Sequence, residues 1–261
     1  MPVLLLGGWQ DIFLKQTLQQ YGQLRRRGVD VALTVGPWTH TQMLSKGLAT
    51  CARESLDWLD TYLGDGPTLR RPSRVRVYVT GQGWRHLSDW PPTTGGPLLS
   101  RSGGYRDDSR LALRDDVLAF TSATLTHDLC VYGNPVVELA HTSDNAHVDL
   151  FVRVSEVDAK GRSRNVSDGY RRLGAATKTV NIELDGIAHR FRAGSRIRLL
   201  IAGSWFPRYA RNLGTEEPML TGRQSKPATH TVRYGRSRLL LPVGPLDLSS
   251  NSVTDSDSDL G

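Results

Sequence analysis

The stretch that decides the fold begins with VLLLGGWQDIF, residues 3–13, and ends with LTVGPWTH, residues 33–40. Val3 to Leu6 is a short apolar run, typical of a strand buried on both faces, and Gly7-Gly8 ends it. Val29 to Val35 forms a second such run. Between the two runs, apolar residues at three- and four-residue spacing predict an amphipathic helix: Phe13, Leu14, Leu18, Tyr21 and Leu24. The segment is therefore predicted to fold as strand, helix and strand.

A polar residue follows each predicted strand, Asp11 after the first and His40 after the second. In open α/β sheets, ligands bind at the edge where the carboxyl ends of the strands lie. An Asp followed by a His matches the last two members of the catalytic triad in α/β-hydrolase order. In such a triad the carboxylate holds the imidazole in the tautomer that accepts the proton of the nucleophile. On spacing alone, a turn-forming Asp and a surface His are the commoner interpretation.

The residues around both positions favour the catalytic interpretation. GGWQDIF and GPWTH resemble the segments that carry the catalytic Asp and His in the cocaine esterase and X-Pro dipeptidyl-peptidase family of serine hydrolases. By this resemblance, Asp11 is the triad acid and His40 is the triad base. The resemblance implies hydrolysis of an ester, amide or X-Pro peptide substrate through an acyl-enzyme. It implies no cofactor and no metal, and it assigns no substrate-binding residue.

The nucleophile of that family is a serine on a strand-to-helix elbow, upstream of the Asp and the His. No G-x-S-x-G pattern occurs in this sequence. Ser45, Ser102 and Ser204 are the serines near glycines, but none of them follows an apolar strand and opens a helix. We therefore expect the chain to be the C-terminal part of a longer hydrolase, inactive alone. Either it is a fragment from a split or truncated gene, or it works with a partner, an N-terminal half that carries the nucleophile.

Composition narrows the other classes of function. The formal net charge is +7, but the arginines are scattered through predicted strands and turns, which favours a solvated surface over a nucleic-acid site. No apolar run reaches the roughly 18 residues of a membrane span, so no membrane partner is expected. No secretory signal is recognised, and Cys51 and Cys130 lie in different predicted elements, which favours reduced thiols. We therefore expect a cytoplasmic protein.

The remaining chain divides into a helix and a run of strands. Leu48, Cys51, Leu56, Leu59 and Leu63 predict a helix over residues 47–63 with this apolar face in the core. Gly64, Gly66, Pro67 and Pro72 mark a boundary. Beyond it, alternation with period two predicts a strand at residues 75–79, a loop at 81–92, and further strands: 110–113, 119–121, 129–132, 136–140, 148–156, 178–184, 196–202, 230–234 and 238–241.

Short strands separated by turns indicate a β-sandwich, and in the family that this chain resembles the second domain is a jelly roll. The resemblance covers roughly residues 3–243. Its segments include LTHDLCVYGNPVVELAHTSDNAHVDLF, HRFRAGSRIRLLIAGSWFPRYARNLGT and KPATHTVRYG. The predicted fold class is thus α/β plus all-β. Residues 1–66 form the C-terminal part of an α/β-hydrolase domain, residues 67–243 a jelly-roll sandwich, and residues 244–261 a disordered acidic tail.

Several polar residues of the predicted sandwich have two interpretations. Asp144, His147 and Asp149 are metal-ligand types, but without a third well-spaced ligand a structural role is favoured. Arg208 and Asn212 line a substrate cleft or, more simply, stabilise turns. Turns are also predicted at residues 167–169 and at His189.

Two further functions stay open from the sequence. The β-sandwich is a non-catalytic binding module for a carbohydrate or a protein, with residues 1–66 a degenerate remnant, or the chain binds nucleic acid through its net charge. An α/β remnant of two strands exposes a sheet edge and apolar helix faces, so we also expect an isolated chain that is oligomeric or poorly soluble.

Overall fold

The structure is a computed structural model that describes residues 1–64, 71–92, 99–100, 106–107, 117–174, 178–206, 208–218 and 221–246. The chain forms two compact units, residues 1–94 with 245–261 and residues 95–244. Its helices are α1 (Leu14–Arg26), α2 (His40–Met43) and α3 (Leu48–Leu63). Its strands in the first unit are β1 (Val3–Gln10), β2 (Val31–Thr39), β3 (Val75–Val79) and β4 (Gly83–Leu87).

The remaining strands belong to the second unit. They are β5 (Leu99–Ser100), β6 (Arg106–Asp107), β7 (Val117–Thr121), β8 (Leu129–Gly133), β9 (Val136–Ser143), β10 (Val148–Val157), β11 (Ser163–Leu173), β12 (Thr179–Glu183), β13 (Ile187–Phe191), β14 (Arg196–Ala202), β15 (His230–Val232), β16 (Arg238–Leu241) and β17 (Val243–Gly244).

The first unit is built on a four-stranded sheet in the order β1-β2-β3-β4. β1 runs parallel to β2 and β2 parallel to β3, whereas β4 returns antiparallel. Gly7 of β1 faces Thr17 of α1, and Thr34 of β2 donates a hydrogen bond to Glu54 of α3. Gly7 is in register with Val35, the neighbour of Thr34, and neighbouring residues of a strand point to opposite faces. The two helices therefore lie on opposite faces of the sheet.

The end of β2 is fixed by close packing around Trp38. Gly8 is in register with Gly36, and Gln10 with Thr39, so β2 carries one extra residue between these pairs. The side chain of Trp38 is 6% exposed. A Cβ atom on Gly36 would lie 2.3 Å from the Trp38 ring, and one on Gly47 would lie 2.8 Å from it. Glycine at these positions is therefore a requirement for seating the indole.

Two expectations about burial in this unit are wrong. Val3 to Leu6 of β1 are half-buried rather than buried on both faces, because β1 is an edge strand. The leucines of α3 that were assigned to the core are exposed, Leu56 by 60% and Leu63 by 77%. The helix turns Glu54 to the sheet instead, and its carboxylate accepts hydrogen bonds from Thr34 and Arg76.

The second unit packs its sheets around one hydrophobic core. One sheet has the order β11-β10-β14-β7-β6, a second the order β12-β9-β16-β5 with β15 beside β9, and a third the order β13-β8-β17. The core draws fully buried side chains from all three, among them Val152 of β10, Leu139 of β9 and Phe191 of β13. This arrangement agrees with the all-β part of the predicted fold class.

Several predicted loops are strands. Residues 83–87 form β4 within the predicted loop, residues 167–169 lie inside β11, and His189 lies inside β13. His189 therefore does not lie in a turn. Its Nε2 lies 3.1 Å from the carboxylate of Glu156. The predicted strand at residues 110–113 lies outside the described residues. The predicted boundary after residue 66 differs from the division after residue 94, because β3 pairs with β2.

Ion pairs on one face of β10 and β11 hold the loop that follows β14. Asp168 is 1% exposed at its side chain and accepts hydrogen bonds from Arg153 at 2.7 Å and from Arg208 at 2.6 Å. Arg153 also lies over the ring of Trp205, 4.5 Å from its centroid, and that ring stacks on Phe151. The ion pair of Arg208 with Asp168 thus connects the loop to the sheet.

We expect Gly36→Ala to lower the free energy of unfolding by about 1–3 kcal/mol, because the added methyl group displaces the buried Trp38 ring. Thermal melts followed by circular dichroism measure the change. Gly22→Ala is the matched control, since Gly22 lies inside α1, where an added Cβ would make only an ordinary contact with the Arg26 guanidinium at 3.5 Å, and alanine favours a helix by about 1 kcal/mol. A Gly36→Ala variant as stable as the wild type would contradict the packing around Trp38.

We expect Asp168→Asn to lower the free energy of unfolding by about 3 kcal/mol, because two arginines lose the charge of their buried partner. Chemical denaturation measures the loss. Asp158→Asn serves as the control: Asp158 pairs with an Arg162 side chain that is 76% exposed, and water screens that pair. Equal losses in the two variants would show that burial does not set the strength of the Asp168 pairs.

Candidate active site

The structure brings the two predicted site residues together. Asp11 follows β1 directly, and His40 begins α2 directly after β2. Nδ1 of His40 lies 3.2 Å from one carboxylate oxygen of Asp11 and 3.4 Å from the other. Because an ionised carboxylate only accepts hydrogen bonds, Nδ1 is the donor in this pair. Nε2 of His40 therefore keeps its lone pair.

Local hydrogen bonds fix Asp11 in this position. The amide of Phe13 donates to Oδ1 of Asp11 at 2.9 Å, and the amide of Asp11 donates to the carbonyl of Gly8 at 3.0 Å. These are the bonds of a tight turn in which an Asp side chain bonds to the backbone two residues on. The side chain of Asp11 is only 6% exposed, so its orientation is set by the protein rather than by solvent.

His40 is held from two sides but stays open at its outer nitrogen. Thr39 and Gln42 form a reciprocal capping box at the start of α2, with the Thr39 amide donating to Gln42 Oε1 at 3.1 Å. The ring of Phe13 meets the imidazole edge-on, with centroids 5.2 Å apart. The side chain of His40 is nevertheless 51% exposed. The imidazole thus has a fixed direction and a free face.

The capping box and the seat of Trp38 are positioning features that the predicted site did not include. The pattern Thr39-His40-Thr41-Gln42 is the sequence signature of a capping box and carried that signal. The packing of Trp38 against Gly36 and Gly47 has no local signature, because it joins residues of β2 to a turn seven or more residues away.

The structure places the three candidate serines as follows. Ser45 lies in the turn after α2, and its hydroxyl donates to the Gln42 carbonyl at 3.4 Å. Ser204 follows β14 in the second unit, and Ser102 lies outside the described residues. Among the residues that the structure describes, no serine hydroxyl forms a hydrogen bond with Nε2 of His40.

The residues considered as metal ligands have other partners. Asp149 accepts hydrogen bonds from Arg172 at 2.8 Å and from Asn212 at 2.9 Å. Asp144 accepts from the amide of Thr229 at 2.7 Å. Within the described ranges, no three His, Cys, Asp or Glu side chains form a cluster that suits a metal ion. In the same part of the chain, no helix combines the length and apolar character needed to cross a bilayer.

Known protein families match two parts of this chain. Residues 68–239 match the X-Pro dipeptidyl-peptidase C-terminal non-catalytic domain, and residues 1–42 match the X-Pro dipeptidyl-peptidase S15 family. The cocaine esterase of Rhodococcus sp. (strain MB1 Bresler) is 23% identical over 93% of this chain and 56% of its own length. The chain thus spans about half the length of this relative.

Solved structures show the same fold. An aminopeptidase from a marine sediment Thaumarchaeota archaeon is 22% identical, with a TM-score of 0.78 over 93% of this chain and 55% of its own. An α-amino acid ester hydrolase is also 22% identical, with a TM-score of 0.79 over the same shares of the two chains. A CocE/NonD family hydrolase from Staphylococcus aureus is 16% identical, with a TM-score of 0.66 over 93% of this chain and 54% of its own. The match to the X-Pro dipeptidyl-peptidase C-terminal domain alone covers more than half of the sequence. The chain therefore belongs to the X-Pro dipeptidyl-peptidase family.

Proposed function

We propose that this chain supplies the acid and the base of a serine-hydrolase triad that cleaves an ester or amide, including X-Pro peptides. One observation carries the proposal: Nδ1 of His40 faces the almost fully buried carboxylate of Asp11, while the other side of the imidazole stays open. This is the arrangement that a general base needs, because the carboxylate sets the tautomer and Nε2 is left to accept a proton.

In the proposed reaction, Nε2 of His40 takes the proton of a serine hydroxyl as the serine oxygen attacks the acyl carbonyl carbon. The imidazolium then gives that proton to the leaving alcohol or amine, and the acyl group stays on the serine. A water molecule repeats the sequence, with His40 again accepting and returning the proton, and the carboxylic acid product leaves. Asp11 keeps its charge throughout and stabilises the imidazolium.

The nucleophile is proposed to lie on an N-terminal half that acts as the partner of this chain. In the described part of the chain, β1 pairs with β2 alone, which leaves its other backbone edge open to a further strand. Large apolar side chains of the same unit are exposed, including Phe13, Leu56, Leu59 and Leu63. The chain alone is therefore proposed to be inactive and prone to self-association.

The finer features of the protein are proposed on the same resemblance. The β-rich part of residues 67–243 is proposed to form a jelly roll, and residues 1–66, with β3 and β4 added to their sheet, the end of an α/β-hydrolase domain. Of the predicted tail, Gly244 belongs to β17, and residues 247–261 lie outside the described residues. The protein is proposed to be cytoplasmic, to need no cofactor or metal, and to bind neither nucleic acid nor membranes.

A second function has one observation in its favour. Residues 68–239 match a domain whose description is non-catalytic, so the β-rich unit is also proposed as a binding module for a carbohydrate or a protein. Titration of the chain with oligosaccharides by calorimetry tests this alternative. Saturable binding by a His40→Ala variant would support it, whereas the absence of binding to a broad oligosaccharide panel would remove the carbohydrate arm.

Fluorophosphonate labelling read by intact mass tests the hydrolase proposal. The purified 261-residue chain is expected to gain no adduct. A chimera with the unmatched N-terminal part of the Rhodococcus cocaine esterase placed before Met1 is expected to gain one. That adduct depends on the base, so His40→Ala abolishes it, and Asp11→Asn slows the reaction by about four orders of magnitude.

His127→Ala is the matched control for this experiment, because His127 is an exposed histidine of the second unit. It is expected to leave the labelling rate unchanged. A folded chimera that is labelled equally with and without His40 would contradict the assignment of the base. A stoichiometric adduct on the chain alone, lost in His40→Ala, would show that the chain carries its own nucleophile.

A further inference from the structure

Two histidines of the second unit face each other where β15 joins the sheet. His141 lies on β9 and His230 on β15, and these strands pair with His230 opposite Ser143 and Val232 opposite His141. Nε2 of His141 lies 3.0 Å from Nδ1 of His230, and the ring centroids are 5.2 Å apart. His141 is 2% exposed. His230 is half-buried. This pair is not used by the candidate active site, which lies in the first unit.

The chain that leads into β15 is held by separate hydrogen bonds rather than by a sheet. We call residues 221–232 the strap. Outside β15, backbone amides of the strap donate to Glu217, to the Leu213 carbonyl at 2.8 Å and to Asp144, and the Asp144 amide donates back to the Thr229 carbonyl. Residues 222–229 form neither helix nor strand. The contact between His141 and His230 adds a side-chain hydrogen bond to the three residue pairs that join β15 to β9.

Charged groups around the pair lie before and on β10, on β11 and in the strap. Asp144 precedes β10 and Asp149 lies on it, and both carboxylates act to raise the pKa of His230. Asp149 is itself engaged by Arg172 of β11, and Lys226 of the strap lies near Asp144. The backbone after β14 encloses the ring, since a Cβ on Gly203 would lie 3.1 Å from Nε2 of His230.

The hydrogen bond between the two rings limits how many protons the pair tolerates. A contact between two imidazole nitrogens needs one donor and one acceptor. One added proton leaves this possible, because the second ring still accepts. A second added proton makes both nitrogens donors and places two cations side by side in a buried site, where repulsion is weakly screened. The contact is therefore lost only when both rings are charged.

We propose that the His141–His230 pair is a proton-sensitive clamp, which fastens the strap to β9 while at most one ring is charged and releases it in acid. Burial lowers the pKa of both histidines, and His230 lowers that of His141 further. The stabilisation is thus present above the ordinary histidine pKa of about 6.5 and is lost as pH falls through the lowered values of the folded state. Two protons drive the release, so it is steep.

Hydrogen exchange of the full chain, read by mass spectrometry between pH 7.5 and pH 5 and corrected for the intrinsic exchange rate, tests the clamp. For peptides that cover Thr229 to Arg233, we expect the equilibrium constant for opening to rise by up to about 100-fold for each unit by which the pH falls within the transition. Peptides from β10 are expected to stay protected over the same range. His141→Gln keeps a side-chain donor toward His230 but removes one titrating group. In this variant the equilibrium constant for opening should change by about 10-fold per pH unit or less.

His230→Gln is the second variant, expected to show the same loss of steepness if His141→Gln does not fold. His127→Gln, which changes an exposed histidine of the same unit, should keep the full wild-type response. Strap exchange that is independent of pH in the wild type would overturn the proposal. An equally steep response in the two Gln variants would overturn it as well, because the protons would then bind elsewhere.

Discussion

The parallel pairing of β1 with β2, ended by the seat of Trp38, is the constraint on which the candidate site depends. If β1 and β2 both continued straight, Asp11 and His40 would follow the regular register of the two strands. The extra residue of β2 between Gly36 and Thr39 instead turns the Trp38 ring into the space left by two glycines. His40 then starts a new helix facing the carboxylate that ends β1. The contact between the side chains of Asp11 and His40, 29 residues apart in the sequence, thus rests on the absence of two methyl groups.

Arginine side chains pair with buried carboxylates in both units of this molecule. Glu54, Asp149 and Asp168 are such carboxylates, and each accepts hydrogen bonds from arginine. Planar guanidinium groups meet carboxylates with two parallel bonds, so they satisfy buried charge better than lysine does. These arginines are therefore committed to ion pairs within the fold. The number of arginines alone is for this reason a poor guide to nucleic-acid binding in this chain.

The sequence predicts those helices and strands that a clear pattern of apolar residues marks. α1, α3, β3 and β14 appear at or near their predicted bounds because a clear apolar pattern marks each of them. β11 is not predicted because it is an edge strand whose buried positions include Ser167, Asp168 and Gly169 rather than aliphatic residues. The pairing of Asp11 with His40 was predicted from local motifs. The packing of Trp38 was not predicted, because it joins separate segments and produces no periodic pattern in the sequence.

The exposed leucines of α3 show why an apolar pattern alone does not identify a core. Leu48, Leu56, Leu59 and Leu63 recur at helical spacing, which any amphipathic helix on a core would show. The structure turns Glu54 to the sheet, because Thr34 and Arg76 lie there and the buried carboxylate needs both partners. The leucines then lie on the outer face. Four large apolar side chains on one exposed helix face form a surface of the kind that a partner polypeptide covers, in line with the N-terminal half proposed above. In that state Asp11 and His40 would lie beside whatever residues the covering chain brings to the edge of β1.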